Sequence, residues 1–444
     1  MKKTLLILLL NTFWLNLFSQ NTSDVIFNQI LFYDGYAGLV SHPVPDGVIR
    51  HRNDLYAKKL SATQLASYGN TMTLNITIKA DCDNYDRIGN VNLAFVPKNA
   101  TTYSPNSVSR IELARFITPF MNKNIAPYEV PYTFSVDNVA KIFKDPALNA
   151  AYDFWIELEV FGVPYAAQAQ VAGCAGINSV FFGTLELVSN TTPLSSSNNF
   201  LLPLNFKKNL NNYQVGASDA IGETVRTIVF NLPSSVSASS FYLITSNHGA
   251  NSGGEEYNRR WHNIYFDNMI FPILTYKPGE LTCEPYRIYN TQPNGIYGLS
   301  PMSNATWQTF SNWCPGCKIP IRKIDLGTLA AGNHTFRISV PAAVFNGGEG
   351  YFPISLYLQG SGTVLDVSAL SKVEYTLFPN PTNDLITIQT SDKIKNVVLF
   401  NELGQPVFEG NTTNINLSNF SKGIYLLQVE FENSIRVTEK IIRN

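Results

Sequence analysis

The chain is poor in charge, in cysteine and in histidine, and each shortage removes a class of function. Only 15% of its 444 residues are charged, and 32 Lys plus Arg are offset by 33 Asp plus Glu. With no basic excess to neutralise phosphates, nucleic acid is not an expected partner. The five histidines (His42, His51, His248, His262, His334) are scattered. Without His-x-His, His-Glu-x-x-His or a dense Cys/His cluster, zinc-peptidase and copper-oxidase chemistry lack ligands, and no metal or other cofactor is expected. There is no Gly-x-Ser-x-Gly elbow and no phosphate-binding loop. Past residue 20 no apolar run reaches 18 residues, so no transmembrane segment is expected in the mature chain.

What is abundant is apolar and aromatic. Hydrophobic residues make up 45% of the chain, which is enough to build cores and excludes a disordered polymer. Gly (28) and Pro (24) interrupt the chain often, leaving short apolar runs between turns. That pattern favours β-sandwiches over helices, and the length suggests two to four domains.

The N-terminus reads Met1-Lys2-Lys3, an apolar run from Leu5 to Phe18, then Ser19-Gln20. A basic start, a short apolar stretch and a small residue describe a secretory signal peptide at 1–20. Its removal leaves a net charge of −3, from 30 basic and 33 acidic groups. Export to the cell surface or medium permits disulfides. The five cysteines are Cys82, Cys174, Cys283, Cys314 and Cys317, an odd number, so at least one thiol has no intramolecular partner. Trp313-Cys314-Pro315-Gly316-Cys317 has the spacing of a redox motif but turn-rich flanks, so a structural disulfide is the better reading.

Three β-rich blocks are expected, at 21–188, 200–362 and 373–444, with polar linkers at 189–199 and 363–372. In the first, Thr73–Ile78, Asn90–Val96 and Phe154–Phe161 alternate as half-buried strands do. Ser135–Ala151 is the best helical stretch. In the second, Thr224–Leu232, Phe241–Thr245 and Ile264–Asp267 are the clearest strands. The last block reads as a small antiparallel sandwich with a proline-locked start, Leu377-Phe378-Pro379-Asn380-Pro381.

Three clusters could carry chemistry. In Phe154–Phe161, alternation places Phe154, Ile156, Leu158 and Val160 on one face and Trp155, Glu157, Glu159 and Phe161 on the other. Two carboxylates between aromatics suit an acid–base or sugar site; the plain alternative is a solvent-facing strand. Asp81-Cys82-Asp83-Asn84-Tyr85-Asp86-Arg87 packs three carboxylates and an arginine into one turn. There an Asp beside Arg is expected to stay ionised and act as a base, or the segment is a surface turn with local ion pairing. The glycine and distal glutamate of a calcium loop are missing. The third cluster, Ser246–Gly249 and Gly253–His262, is Gly-rich and full of carboxylates, arginines and aromatics. A loop of this kind at a strand end lets backbone approach a polar ligand, or is simply long and soluble.

In chain order these clusters resemble the peptide-N-glycosidase F family. The resemblance runs from about Thr73 to Leu326 through Cys82–Arg87, Arg115-Phe116-Ile117-Thr118-Pro119-Phe120, Glu159, Glu255-Glu256-Tyr257 with Arg260 and His262, and Trp313-Cys314-Pro315-Gly316. It implies two side-by-side eight-stranded antiparallel jelly rolls with a cleft between them, and a small C-terminal β-sandwich beyond. It implies Asp86 as the main catalytic acid or base, assisted by Glu256 and Glu159, with Arg87, Arg260, Tyr257, Phe161 and Trp313 lining the substrate cleft. It also implies a Cys283–Cys314 disulfide; the pairing of Cys82, Cys174 and Cys317 stays open, with Cys174 one candidate partner for Cys82. The reaction implied is hydrolysis of the Asn side-chain amide bond to an N-linked glycan, on glycoproteins or glycopeptides, by a monomer. Clustered carboxylates would raise one pKa and leave another carboxylate ionised. The chain departs from the family pattern in three places. Gly254 and Asn258 replace paired cysteines, Phe310 stands near a family arginine, and a cysteine before the first motif is missing. A non-catalytic glycan- or protein-binding surface protein of the same fold is the alternative.

The tail, with Pro379-Asn380-Pro381, Gly423-Ile424-Tyr425 and a terminal Lys440, resembles the C-terminal sorting domain of the Bacteroidetes type IX secretion system. It implies that the secretion machinery reads it as an address.

Overall fold

The computed structural model describes residues 21–194, 199–279, 282–292, 312–362, 372–373, 375–433 and 435–444. The expected signal peptide, Phe310 and most of the second linker lie outside the described residues.

The first block folds around one core as two antiparallel sheets. One sheet runs Asn21–Tyr33, Ser179–Asn190, Met72–Ala80, Glu129–Ser135. The other runs Ser109–Ile117, Ile88–Pro97, Tyr152–Val160, Leu55–Lys59, Val48–Arg52. Met72–Ala80 alternates strictly, with every second side chain buried, as a one-sided strand must. The helical stretch forms two short helices, Asp137–Phe143 and Pro146–Ala151, the second capped by Asp145, which accepts from Leu148 N at 2.9 Å.

Tyr152–Val160 departs from a solvent-facing reading. Phe154, Ile156, Leu158 and Val160 enter the core as alternation predicts. The opposite face is covered too: Trp155 packs on Ala57, Ala94 and Val96, and Glu157 is fully buried. The Glu157 carboxylate accepts from the Tyr103 hydroxyl at 2.7 Å, Asn92 at 3.1 Å and Arg110 at 3.4 Å, which offsets its desolvation. Glu157 is therefore structural, while its strand-mate Glu159 lies nearer the end of the strand.

The second block repeats the plan. Asn199–Leu210, Phe352–Ser361, Val236–Thr245 and Arg322–Leu329 form one sheet. Leu274–Tyr276, His262–Phe266, Gly332–Ser339 and Val225–Leu232 form the other. Among the described residues the first block contributes nine strands and the second eight, apart from two short strands that cross between blocks. One of these, Lys318–Ile319, leaves the second block to pair with Arg115 and Phe116 of the first.

Arg115 deepens that seam. It is fully buried, paired with Glu112 at 2.7 Å, and donates to Ser246 Oγ and the Pro353 carbonyl of the second sandwich, each at 2.8 Å. A second polar contact joins Asn138 to the Tyr357 hydroxyl at 2.9 Å and to Gln359 at 2.8 Å. The two sandwiches are thus fixed against one another by directional bonds that tolerate little sliding.

The tail has its own core. A three-stranded sheet (Tyr375–Phe378, Leu385–Thr390, Asn414–Asn416) packs with a four-stranded one (Pro406–Gly410, Ile394–Phe400, Gly423–Phe431, Arg436–Arg443). Lys372–Val373, expected at the junction of linker and tail, is an edge strand on Val225–Leu232, and Val229 of the second sandwich lies in the tail core.

Candidate active site

Asp86 lies in the turn between Met72–Ala80 and Ile88–Pro97, and nearly every polar group around it is committed to holding the turn. A disulfide joins Cys82 to Cys174. Asp83 accepts from Tyr85 N at 2.9 Å and from Val163 N at 2.7 Å. Thr118 Oγ1 accepts from Arg87 N at 2.7 Å. The turn therefore presents Asp86 on a rigid frame, and Thr118 explains what Arg115–Phe120 does near it. One expectation fails here. Arg87 pairs with Asp83, at 2.7 Å, rather than securing the charge of Asp86. Asp86 is pushed well above the usual carboxylate range, first by burial and then by the negative charge of Glu256, with Arg87 offsetting only part.

Glu256 comes from the second sandwich, on the Gly-rich loop. Gly249 N donates to its Oε2 at 3.1 Å, and its own N–H returns to the Gly249 carbonyl at 3.3 Å. Gly254 makes this fold of the loop possible: a Cβ there would sit 1.9 Å from the Gly249 oxygen. Asn258 donates to the Gly254 carbonyl at 3.4 Å, so the two positions that lost the family cysteines are still in contact. The Asn312 side chain ties the loop from behind, donating to the Glu255 and Glu256 carbonyls at 2.8 and 2.6 Å. Burial raises Glu256 to about 7, against the opposing bonds from Gly249 N–H and the Tyr257 hydroxyl. Asp86 and Glu256, 170 positions apart, thus form an interacting acid pair across the seam.

Glu159 is placed differently. A cavity of about 350 Å³ opens between the sandwiches, lined by Tyr36, Asn90, Glu159, Phe161, Lys207 and Tyr351 among others. Glu159 pairs with Arg52 at 2.8 Å and with Lys207. Although burial opposes it, those cations hold Glu159 down to about 2. It is a permanent anion, an acceptor for hydrogen bonds and no source of protons at neutral pH. Tyr351 links the two parts of the site: it lines this cavity and also feels the charge of Glu256.

The expected cleft-lining residues divide. Phe161 lines the cavity, edge-to-face with exposed Tyr36 at 5.2 Å, and the Arg87 guanidinium lies 5.9 Å from its ring centre. Tyr257 is exposed and bonded to Glu256. Arg260 is turned to another use, with Nε and Nη2 on buried Glu255 at 2.6 and 3.0 Å. Trp313 is buried rather than cleft-lining, at 4% exposure, its indole N–H donating to the Asn247 carbonyl at 2.9 Å beside the Cys283–Cys314 disulfide. Cys317 is buried and belongs to neither bridge, so Cys314-Pro315-Gly316-Cys317 is not itself the disulfide. Sequence reasoning missed Tyr36, Arg52, Lys207 and Tyr351. The residues carry no local motif, and only the pairing of distant strands assembles them.

A larger cavity, about 570 Å³, lies between the second sandwich and the tail, but none of the candidate residues lines it. Among the described residues no group of His, Cys, Asp and Glu is arranged to hold a metal ion.

Models of the peptide-N-glycosidase F N-terminal and C-terminal domains match residues 24–175 and 217–359. The chain belongs to the peptide-N-glycosidase F family. Residues 376–444 match the secretion system C-terminal sorting domain, which indicates export by the type IX system. No curated protein matches the sequence. Among solved structures, two crystal forms of PNGF-II are 19% and 20% identical, with TM-scores of 0.54 and 0.55 over 77% and 78% of this chain. The chain spans 65–66% of the length of those PNGF-II structures. PNGase F, a glycosylasparaginase from Flavobacterium meningosepticum, is 14% identical with a TM-score of 0.48, over 78% of this chain and 97% of that one. At these identities the PNGF-II likeness speaks for the fold: antiparallel sandwiches paired side by side, followed here by the tail sheets. No helix among the described residues is long and apolar enough to cross a membrane.

Proposed function

We propose that the chain is an exported peptide-N4-(N-acetyl-β-glucosaminyl)asparagine amidase that removes N-linked glycans from glycoproteins or glycopeptides. The observation that carries this reading is the acid pair at the seam, Asp86 from one sandwich and Glu256 from the other, both raised above the ordinary carboxylate range. Burial and like charge oppose ionising both members of such a pair at once, so one can stay protonated while the other is ionised. The ionised member takes a proton from water as the water oxygen attacks the Asn side-chain carbonyl carbon. The protonated member delivers its proton to the departing nitrogen as the C–N bond breaks. The products are an aspartyl residue and a glycosylamine. Glu159, kept anionic, accepts hydrogen bonds from the sugar, and Phe161 with Tyr36 offers ring faces to it. A signal peptide at 1–20 and the sorting tail would deliver the enzyme to the medium or the cell surface as a monomer.

The test is release of free glycan from a denatured glycoprotein. Asp86→Asn is expected to reduce release by about 10²–10⁴-fold. No release across a broad panel of N-glycans overturns the amidase reading. A glycan-binding protein without turnover is favoured by one observation: Arg260 is committed to Glu255 and Trp313 is buried, so two expected substrate contacts are not presented. Glycan-array binding with no glycan release would select that reading.

A further inference from the structure

Lys207 belongs to the second sandwich, yet its ammonium ends among groups of the first. It pairs with Glu159 and donates to Asn90 Oδ1 at 3.3 Å. Its backbone is in the left-handed region, at φ +49°, which L side chains rarely adopt. The reason is visible in the register. Asn199–Leu210 pairs regularly with Phe352–Ser361 except for shifts between Pro203 and Asn205 and between Asn205 and Lys208. The second shift is a bulge that pushes Phe206 and Lys207 out of the ladder toward the neighbouring sandwich. There the Arg110 guanidinium lies 4.2 Å from the Phe206 ring centre. The bulge is pinned from behind, because Lys207 N donates to Ser355 Oγ at 3.0 Å and Ser355 bonds Glu112. A strained residue held this firmly at the rim of a cavity is a reason to look for function.

Resting on the amidase reading, we propose that Lys207 is a positioning residue: reached across the seam, it fixes the Glu159 carboxylate as an acceptor for the hydroxyl and amide N–H donors of the sugar beside the scissile bond. The charges facing Glu159 come from every side. Arg52 and Asp54 lie on the neighbouring hairpin, and Arg110 acts from the Ser109–Ile117 strand. Glu157 is two residues away on the same strand and spent on Tyr103, Asn92 and Arg110. Lys207 is the cation that the second sandwich sends to Glu159 among these contacts. Without it Glu159 keeps Arg52 on one oxygen and only a long bond from Asn92, 3.5 Å, on the other, so its hold loosens and its affinity for protons rises.

The experiment compares wild type, Lys207→Met and Lys207→Arg. Cleavage of an N-linked glycopeptide is followed over pH, and the Glu159 side-chain carboxyl is followed by NMR titration in the absence of substrate. Lys207→Met is expected to raise KM about tenfold with kcat little changed. The Glu159 titration should move up from about 2 toward the ordinary glutamate value, and KM should worsen further as pH falls into that range. Lys207→Arg, which keeps the charge, should restore most of the loss. Unchanged KM and an unmoved Glu159 titration in Lys207→Met would overturn the proposal. So would equal impairment of both variants, which would assign the effect to the bulge and not to the charge. If wild type proves inactive, the amidase reading fails alone, because the Glu159 titration in the free protein still decides what Lys207 does.

Discussion

Glu159 and Glu256 are the same residue type, both at the candidate site, and the fold drives them in opposite directions. Glu159 is flanked by Arg52 and Lys207 and is held down to about 2. Glu256 has for partners a backbone N–H and a phenol, faces Asp86, and is raised to about 7. Burial acts on both, so burial alone does not set their chemistry. What separates them is whether a cation was brought within reach. One glutamate becomes a fixed acceptor and the other can carry a proton, the division of labour that the proposed amide hydrolysis calls for.

The seam beneath both is the place to break this contrast most severely. Arg115→Met should destabilise the protein by about 3–5 kcal/mol, since Glu112 is left buried without its cation and Ser246 and Pro353 lose their donor. Urea unfolding at neutral pH measures it. Activity should fall even under conditions where the variant stays folded, because the sandwiches then lose their fixed spacing.

A sharper probe is Glu256→Gln read as stability against pH. A carboxyl whose folded pKa is raised binds its proton more strongly in the folded state, so stability falls as pH rises from about 4.5 to about 7. Glu256→Gln removes that loss. Its melting temperature should exceed wild type above pH 7 and match it below pH 4.5, with a difference of order 3 kcal/mol at the plateau. Glu159 has the reverse sign: its contribution is present above about pH 4.5 and is lost as pH falls toward 2. If Glu256→Gln showed no pH-dependent gain, the contrast between the two glutamates would be false. The smallest effect is expected from Tyr257→Phe, which removes one bond to Glu256 and should make that group a still weaker acid. The shift is worth about 1 kcal/mol, seen as a displaced alkaline limb in the pH–activity profile.

Much of the fold was legible because alternation is local. Thr73–Ile78 and Phe154–Phe161 show their core faces within six to eight residues. The three acids were legible through the motifs that carry them. That one would be raised and another stay ionised was expected too; which acid takes which state was not legible, since the charges that decide it arrive from far along the chain. Lys207 is 48 positions from Glu159, and Ser246 is 131 from Arg115. The same distance effect explains the misread neighbours. Arg87 beside Asp86 suggested a partner, yet Asp83 takes the guanidinium through its i,i+4 geometry. The resemblance put Arg260 and Trp313 in the cleft, but Glu255 takes two nitrogens of the one and the Asn247 carbonyl takes the indole N–H of the other. Glu157 looked like a twin of Glu159, and only the packing of Tyr103 and Arg110 over it shows that it is sealed in.

The strand Lys372–Val373 has a bearing on how such a protein is handled in the laboratory. It hydrogen-bonds to Val225–Leu232, while Val229 plugs into the hydrophobic interior of the tail. Cutting the chain just ahead of residue 372 would bare a sheet margin and a greasy valine together, an invitation to clumping. A shortened version meant for crystallography or industry should therefore keep that two-residue clasp or replace Val229 with a polar side chain.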